Sequence, residues 1–180
     1  TMKEPIGVVA AISAFNHPFN LAVHQVIQAI AVGCPVIIRP ATQTPMSAIK
    51  LVEILKEAGL PNGWAQAVVC DRNAGELLVT SPKTAFFTFI GSGPVGWYLN
   101  SKSSPGTRSA LEHGGVAPVI VEPDADIEAM IPDLVKGGFY HAGQVCVSVQ
   151  RIFVHESIAD TVASKIAEKA SKLVVGNQLD

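Results

Sequence analysis

Residues 84–101 read TAFFTFIGSGPVGWYLNS, and this stretch decides the fold. Thr84 to Ile90 is continuous, aromatic and β-branched rather than alternating, which predicts a strand buried on both faces. It runs directly into Gly91, Gly93 and Gly96, and from Val95 to Ser101 the chain predicts a helix. A strand, a glycine loop and a helix in that order offer backbone N–H groups at a helix amino terminus, where a phosphate is held well. The Gly-x-Gly-x-x-Gly spacing is weak alone; the strand before it and the helix after it give it weight. It follows the fourth predicted strand rather than the first, a departure from the usual dinucleotide-fold order.

The same alternation extends in both directions. Ile6 to Ser13 (IGVVAAIS), Cys34 to Arg39 (CPVIIR) and Trp64 to Cys70 predict earlier strands. Leu21 to Val32 predicts a helix with apolar positions at Val23, Val26, Ile27 and Ile30, ended by Gly33. Met46 to Ala58 predicts another, with Ile49, Leu51, Val52, Ile54 and Leu55 apolar, then Gly59 and Pro61 as a stop. Ala74 to Thr80 is a short helix, and Arg108 to Glu112 and Val119 to Val121 are further strands. Strands alternating with helices give an α/β fold: a Rossmann-like, mostly parallel sheet with helices on both faces. Beyond it, Ala125 to Val135 predicts a helix with an acidic start, Lys136 to Val149 an irregular glycine-rich stretch, Arg151 to His155 a strand, and Ile158 to Val174 a helix with lysines toward its end. We therefore expect a first domain over 1–115 and the start of a second α/β domain, truncated, over 116–180.

Composition narrows the function classes. The net charge of -2 supplies no basic field for nucleic acid or an anionic membrane. The longest apolar stretch, Val26 to Ile38, is interrupted by Gln28 and Pro35 and falls short of the roughly 20 residues of a spanning helix. The start, Thr1 to Pro5, does not read as a secretory signal, so a cytoplasmic location is expected. The cysteines are Cys34, Cys70 and Cys146, with no Cys-x-x-Cys pair, and the five histidines lack zinc-site spacing, so neither a disulfide framework nor a metal is expected. Charged residues make up only 16% of the chain, against about 25% in an ordinary soluble domain. Part of this surface is expected to be covered, by further chain or by a subunit.

The residues with chemical potential lie at or just after predicted strand ends, where a parallel sheet binds its ligands. Asn16, in the segment Ser13 to Asn20, has an amide able to hold an oxyanion, or it caps the next helix. Arg39, followed by Thr42 and Thr44, could grip a ribose or phosphate, or belong to a solvent loop with Pro45 opening a helix. Glu112 stands before Gly114 and Gly115, and Cys146 lies in the turn Ala142 to Val147. A thiolate nucleophile and a carboxylate base suffice for acyl chemistry. Taken singly, neither residue outweighs its plainer reading, Cys146 as a small buried hydrophobe and Glu112 as a surface acid.

In combination the pattern is specific. Phe-Asn-x-Pro at 15–18, Arg-Pro-Ala-x-x-Thr-Pro at 39–45, Phe-x-Gly-Ser-x-x-Val-Gly at 89–96, Glu-x-Gly-Gly at 112–115 and Gly-Gln-x-Cys at 143–146 resemble, in that order, the aldehyde dehydrogenase superfamily. The resemblance covers Pro5 to Asp180. It implies Cys146 as nucleophile, Asn16 with the Cys146 backbone N–H as the oxyanion site, and Glu112 as the base that activates water. It implies NADP or NAD as cofactor, bound by Ser13, Phe15, Arg39, Thr42, Gly75, Gly91, Ser92, Val95, Gly96 and His113. The substrate would be a small aldehyde, and the full-length enzyme a homo-oligomer.

The departures from the family pattern carry information. Arg39 stands where Lys is usual, and Thr42 where NAD-preferring members often carry Glu. A guanidinium and a neutral hydroxyl suit a 2′-phosphate, so NADP is expected to be accepted or preferred. Ile90 replaces a usual Thr, and His113 a usual Leu. Members of the family are several times the size of one domain. The chain is thus expected to be an internal piece of the enzyme that depends on the rest for turnover. Two readings compete: a CoA-acylating relative, which usually lacks the Glu112 base, and a nucleotide-binding fragment without catalysis.

Overall fold

The computed structural model describes residues 1–177 and 179. The chain divides into two compact units, Thr1–His113 and the residues from Gly114 onward.

The first unit is a parallel five-stranded sheet in the order β3-β2-β1-β4-β5. Its strands are β1 (Val8–Ile12), β2 (Val36–Arg39), β3 (Ala65–Ala67), β4 (Thr84–Ile90) and β5 (Arg108–Glu112). Chain order runs outward from β1 to β3, then returns to β4 on the other side of β1. The glycine loop therefore follows the fourth strand in sequence, yet it lies beside the first in space. The order reverses between β1 and β4, where open parallel sheets form their ligand crevice.

Strand alternation explains the two layers. Val9 and Ala11 of β1, with Val36 and Ile38 of β2, face α1 (Pro18–Ala31) and α2 (Pro45–Glu57) in one core. Ile12, Phe87 and Phe89 face the other way, against Val79 of α3 (Arg72–Thr80) and Leu99 of α4 (Gly93–Lys102). Phe87 has no exposed surface and anchors that second core. The chain leaves α1 through Gly33 (φ +82) and α2 through Gly59 (φ +94), left-handed positions that a Cβ strains.

Several boundaries differ from the sequence expectation. Helix α1 begins at Pro18 rather than Leu21, because proline at the first turn loses no hydrogen bond. Its buried stripe is Ala22, Gln25, Val26 and Ala29, while Ile27 is exposed. The small alanines let the helix settle closely on the sheet, and that closeness selects the stripe over side-chain size. Ile54 of α2 is likewise exposed. Strand β3 pairs only over Ala65–Ala67, at the sheet edge.

In the second unit, β6 (Val119–Val121) and β7 (Ile152–Val154) form a parallel ribbon with Ile120 opposite Phe153. Val154 packs beside Ile131, Val135 and Val162 of α5 (Ile127–Phe139) and α6 (Ala159–Ala170). The Asp126 carboxylate caps α5 by accepting from the Ala129 N–H at 3.1 Å. Helix α5 runs on through Gly137 and Gly138, where the sequence suggested irregular chain. The reason is a close crossing: a Cβ on Gly137 would lie 3.0 Å from the Val149 side chain, and the Val149 N–H donates to the Gly137 carbonyl. Helix α6 stops at Ala170, short of the expected Val174. No helix among the described residues is long and apolar enough to cross a membrane. Among the same residues no group of three His, Cys, Asp or Glu could hold a metal ion.

Candidate active site

The first unit gathers most of the expected residues at the carboxyl edge of its sheet. The pairing register sets Arg39 beside Ile12, Ile12 beside Phe89, and Ile90 beside Glu112. Three successive loops, after β2, β1 and β4, and the end of β5 thus emerge side by side.

After β1, Ser13 is buried and its N–H donates to the Arg39 carbonyl at 3.0 Å. Its Oγ is buried without a hydrogen-bond partner. Phe15 is exposed and Asn16 half-buried. The N-cap position of α1 belongs to His17, whose side chain makes no capping bond. Asn16 thus stands one residue before the N-cap position of α1.

After β2, Arg39 folds back over the sheet edge. Its Nη2 donates to the Cys70 carbonyl at 3.1 Å and to the Thr42 hydroxyl at 3.4 Å. Its stem lies on Gly75, where a Cβ would come 3.4 Å from Nε. Arg39, Thr42 and Gly75 thus form one contact group. Thr44 takes the N-cap position of α2 with Pro45 in the first turn, but its hydroxyl makes no capping bond.

After β4, the Gly91 N–H donates to the Glu112 carbonyl at 3.0 Å. Ser92 occupies the N-cap position of α4 and its side chain makes no capping bond, so it does not occupy the N–H groups of the first turn. Val95 is exposed on that turn. The glycines have a packing reason as well. A Cβ on Gly91 would lie 2.6 Å from the Phe89 ring, and one on Gly96 would lie 2.9 Å from that ring and collide with His113. The His113 ring stands edge-on to Phe89 and Trp97, with centroids 6.1 and 5.6 Å away. Its Nε2 is buried with no hydrogen-bond partner. Glu112 is exposed at the end of β5. A groove of about 540 Å³ runs along α1 and the face of β4 and β5 that carries Thr88, Ile90 and Ala110, and reaches Glu112.

Cys146 belongs to the second unit, where it is exposed on a turn. The turn is closed by the Ser148 N–H donating to the Val145 carbonyl at 3.0 Å, and by the Ser148 hydroxyl donating to the Gly143 carbonyl at 3.2 Å. Before it, His141, Ala142 and Gly143 are all left-handed, with φ of 53, 55 and 73. For His141 and Ala142 this costs about 1–2 kcal/mol each, a local strain of the kind that clusters at working sites. Gln150 ties the turn to the start of the unit, its Nε2 donating to the Gly115 carbonyl at 3.0 Å. Gly115 itself passes so near that a Cβ would lie 3.1 Å from the Cys146 carbonyl.

Sequence reasoning missed Gln25, the Cys70 carbonyl, and the aromatic pair Phe89 and Trp97. For Gln25 a signal existed: it falls three residues after Ala22 and four before Ala29, on one helical face, so a polar side chain had to be buried there.

The comparisons with known proteins bear on the whole arrangement. The profile of the aldehyde dehydrogenase family matches residues 1–180. The chain is 45% identical over 182 residues to a 3-sulfolactaldehyde dehydrogenase of Priestia aryabhattai, covering 100% of this chain and 38% of that protein. It superposes with a TM-score of 0.95, at 36% identity, on the crystal structure of a Mycobacterium tuberculosis aldehyde dehydrogenase complexed with NAD+, covering 99% of this chain and 37% of that one. It superposes at 0.92, with 39% identity, on the NADP complex of a glyceraldehyde-3-phosphate dehydrogenase from Methanocaldococcus jannaschii, covering 99% and 40%. The chain thus spans well under half the length of these relatives. With strand order, edge loops, exposed thiol and full-length family match in agreement, the chain belongs to the aldehyde dehydrogenase family.

Proposed function

We propose that the protein of which this chain is part oxidises an aldehyde to a carboxylic acid, using NADP or NAD. The observation that carries this reading is the alignment of the Asn16 loop, the Gly91–Gly96 loop and Glu112 at adjoining ends of β1, β4 and β5, flanking the point where strand order reverses. The exposed thiol of Cys146 supplies the nucleophile.

The residues fit the dinucleotide on three counts. The α4 amino terminus is left uncapped by the Ser92 side chain and suits a pyrophosphate. Arg39 is braced by Cys70 and Thr42 beside Gly75, as a ribose or 2′-phosphate contact requires. Ser13 leaves β1 bonded to Arg39 and Val95 is exposed on the first turn of α4, and the family resemblance adds Phe15 and His113 to the same site. When bound, the nicotinamide accepts the hydride.

The chain's own groups do the rest. The Cys146 thiolate adds to the aldehyde carbon, and the carbonyl oxygen becomes an oxyanion held by the Asn16 amide and the Cys146 N–H. Loss of hydride leaves a thioester. Glu112 takes a proton from water, the resulting hydroxide attacks the thioester carbon, and the acid departs with Cys146 restored. The presence of Glu112 at the end of β5 favours water over CoA as acceptor. His17 beside Asn16, and the sulfonate in the name of the Priestia relative, support an anionic small aldehyde as substrate class. The family resemblance supports a cytoplasmic homo-oligomer, and the low proportion of charged residues accords with a surface covered by further chain or a subunit.

The test is rapid mixing of the full-length enzyme with sulfonated, carboxylated and neutral aldehydes, following reduced nucleotide. A burst with about one equivalent per Cys146, then slower turnover to acid without CoA, is the expected result. Turnover that requires CoA would move the protein to the acylating class, and absence of any reduced nucleotide would reject the dehydrogenase reading.

A further inference from the structure

Gln25 is a polar side chain in an otherwise apolar stripe, 5% exposed. Its Nε2 donates to the Ile12 carbonyl at 3.2 Å, the Thr88 carbonyl at 3.3 Å and the Thr88 hydroxyl at 3.2 Å. Ile12 ends β1, and Thr88 is the β4 residue paired with Ala11. One amide thus fastens α1 to both strands at the point where the sheet order reverses. The orientation is forced, because turning the amide over would set Oε1 against two carbonyl oxygens. Oε1 is left buried without a partner, an arrangement that costs stability and that packing alone does not call for.

The apolar contacts of α1 include Val23 and Ile30 beside its buried stripe. Ala22, Val26 and Ala29 bury it, but such contacts are non-directional and small alanine surfaces allow sliding. A three-acceptor hydrogen bond is directional. The short segment Ser13–His17 joins β1 to α1, so any slip of the helix moves Asn16. β4 ends at Ile90, two residues after Thr88, and the Gly91 loop follows directly.

We infer that Gln25 is a positioning residue that fixes the Asn16 loop relative to the Gly91 loop, and so sets the oxyanion donor against the nicotinamide site. It acts through Asn16 and touches neither substrate nor cofactor. The inference rests on the dehydrogenase reading for its kinetic consequence, while its structural consequence stands independently.

The experiment compares the full-length enzyme with Gln25→Met, which keeps the shape and removes the donor, and with Gln25→Glu, which sets carboxylate oxygens against the two carbonyls. Thr88→Val, a milder change on the partner side, serves if either fails to fold. Gln28→Met, on the exposed side of the same helix, is the control. Amide exchange is read at 13–17 and 89–91, together with the burst rate and the KM for nucleotide. The expected result is faster exchange confined to those segments, and a burst slowed roughly 10- to 100-fold with an unchanged nucleotide KM. Gln25→Glu should be the more severe, Thr88→Val should shift both in the same direction, and Gln28→Met neither. Unchanged exchange at 13–17 in Gln25→Met overturns the inference, as does raised exchange with an unchanged burst, which would make the bond merely structural. If the parent enzyme gives no burst with any aldehyde, the dehydrogenase reading fails, and the exchange result alone decides the clamp.

Discussion

The Ser13 N–H donates to the Arg39 carbonyl at 3.0 Å, one residue beyond the last paired position of β1. This bond extends the β1–β2 pairing into the loops and couples the oxyanion loop to the residue we assign to the adenosine ribose. The Arg39 guanidinium is itself directed by the Cys70 carbonyl and the Thr42 hydroxyl. A carboxylate at position 42 would pair with Arg39 and repel a 2′-phosphate. We therefore expect Thr42→Glu to weaken NADP binding relative to NAD by roughly 10- to 100-fold, 1.4 kcal/mol being a factor of ten. Calorimetric titration of the full-length enzyme with both nucleotides checks it; an unchanged ratio would remove Thr42 from the 2′-phosphate site.

The catalytic assignments separate by step. Glu112→Gln should keep the nucleotide burst and lose turnover by about 10²- to 10⁴-fold, the usual worth of a general base. Cys146→Ser should lose the burst itself. A Glu112→Gln enzyme that turns over normally would show that another group activates water.

Gly115 and Gly114 form a matched pair. A Cβ on Gly115 would press 3.1 Å from the Cys146 carbonyl, whereas one on Gly114 would meet nothing within 4 Å. Gly115→Ala should displace the cysteine turn and slow both thiol alkylation at neutral pH and turnover. Gly114→Ala should leave the alkylation rate close to that of the parent. Equal alkylation rates in the two variants would refute the close-approach argument.

Relief of the left-handed turn should stabilise the protein. Ala142 has φ 55, so Ala142→Gly is expected to raise stability by up to about 1 kcal/mol. Urea unfolding measures it, and a destabilised variant would mean that the Ala142 methyl contributes more than its backbone costs.

Tyr98 provides a pH test. Its hydroxyl donates to the Glu76 carboxylate at 3.0 Å, joining α4 to α3. That hydrogen bond, then the Glu76 charge, raises the phenol above its ordinary value. The folded state thus favours the neutral phenol. Its contribution is complete below the ordinary phenol range and is lost as pH rises through the folded value. The phenolate absorbance of Tyr98, read as the difference from Tyr98→Phe, should appear at lower pH in Glu76→Ala. An unmoved midpoint would exclude the pair in solution.

The strands and helices of the first unit were legible because each is a local pattern. Thr84–Ile90 is strand-forming along its whole length, and Gly33 and Gly59 mark helix ends by backbone freedom alone. Family motifs at 15–18, 39–45, 89–96, 112–115 and 143–146 also lie within short windows, so the family of the chain could be read without coordinates. What sequence could not supply were relations between distant residues. Strand order brings the fourth strand beside the first, and only that adjacency turns the Gly91 loop and the Asn16 loop into neighbours. The buried stripe of α1 was decided by how closely alanines let the helix approach, a property of the packed pair rather than of the helix. Gln25 reaches Thr88 across 63 residues of chain. Local interactions fix which elements form; which side chains meet depends on the register of the sheet and the seating of its helices, and these exist only in the folded chain.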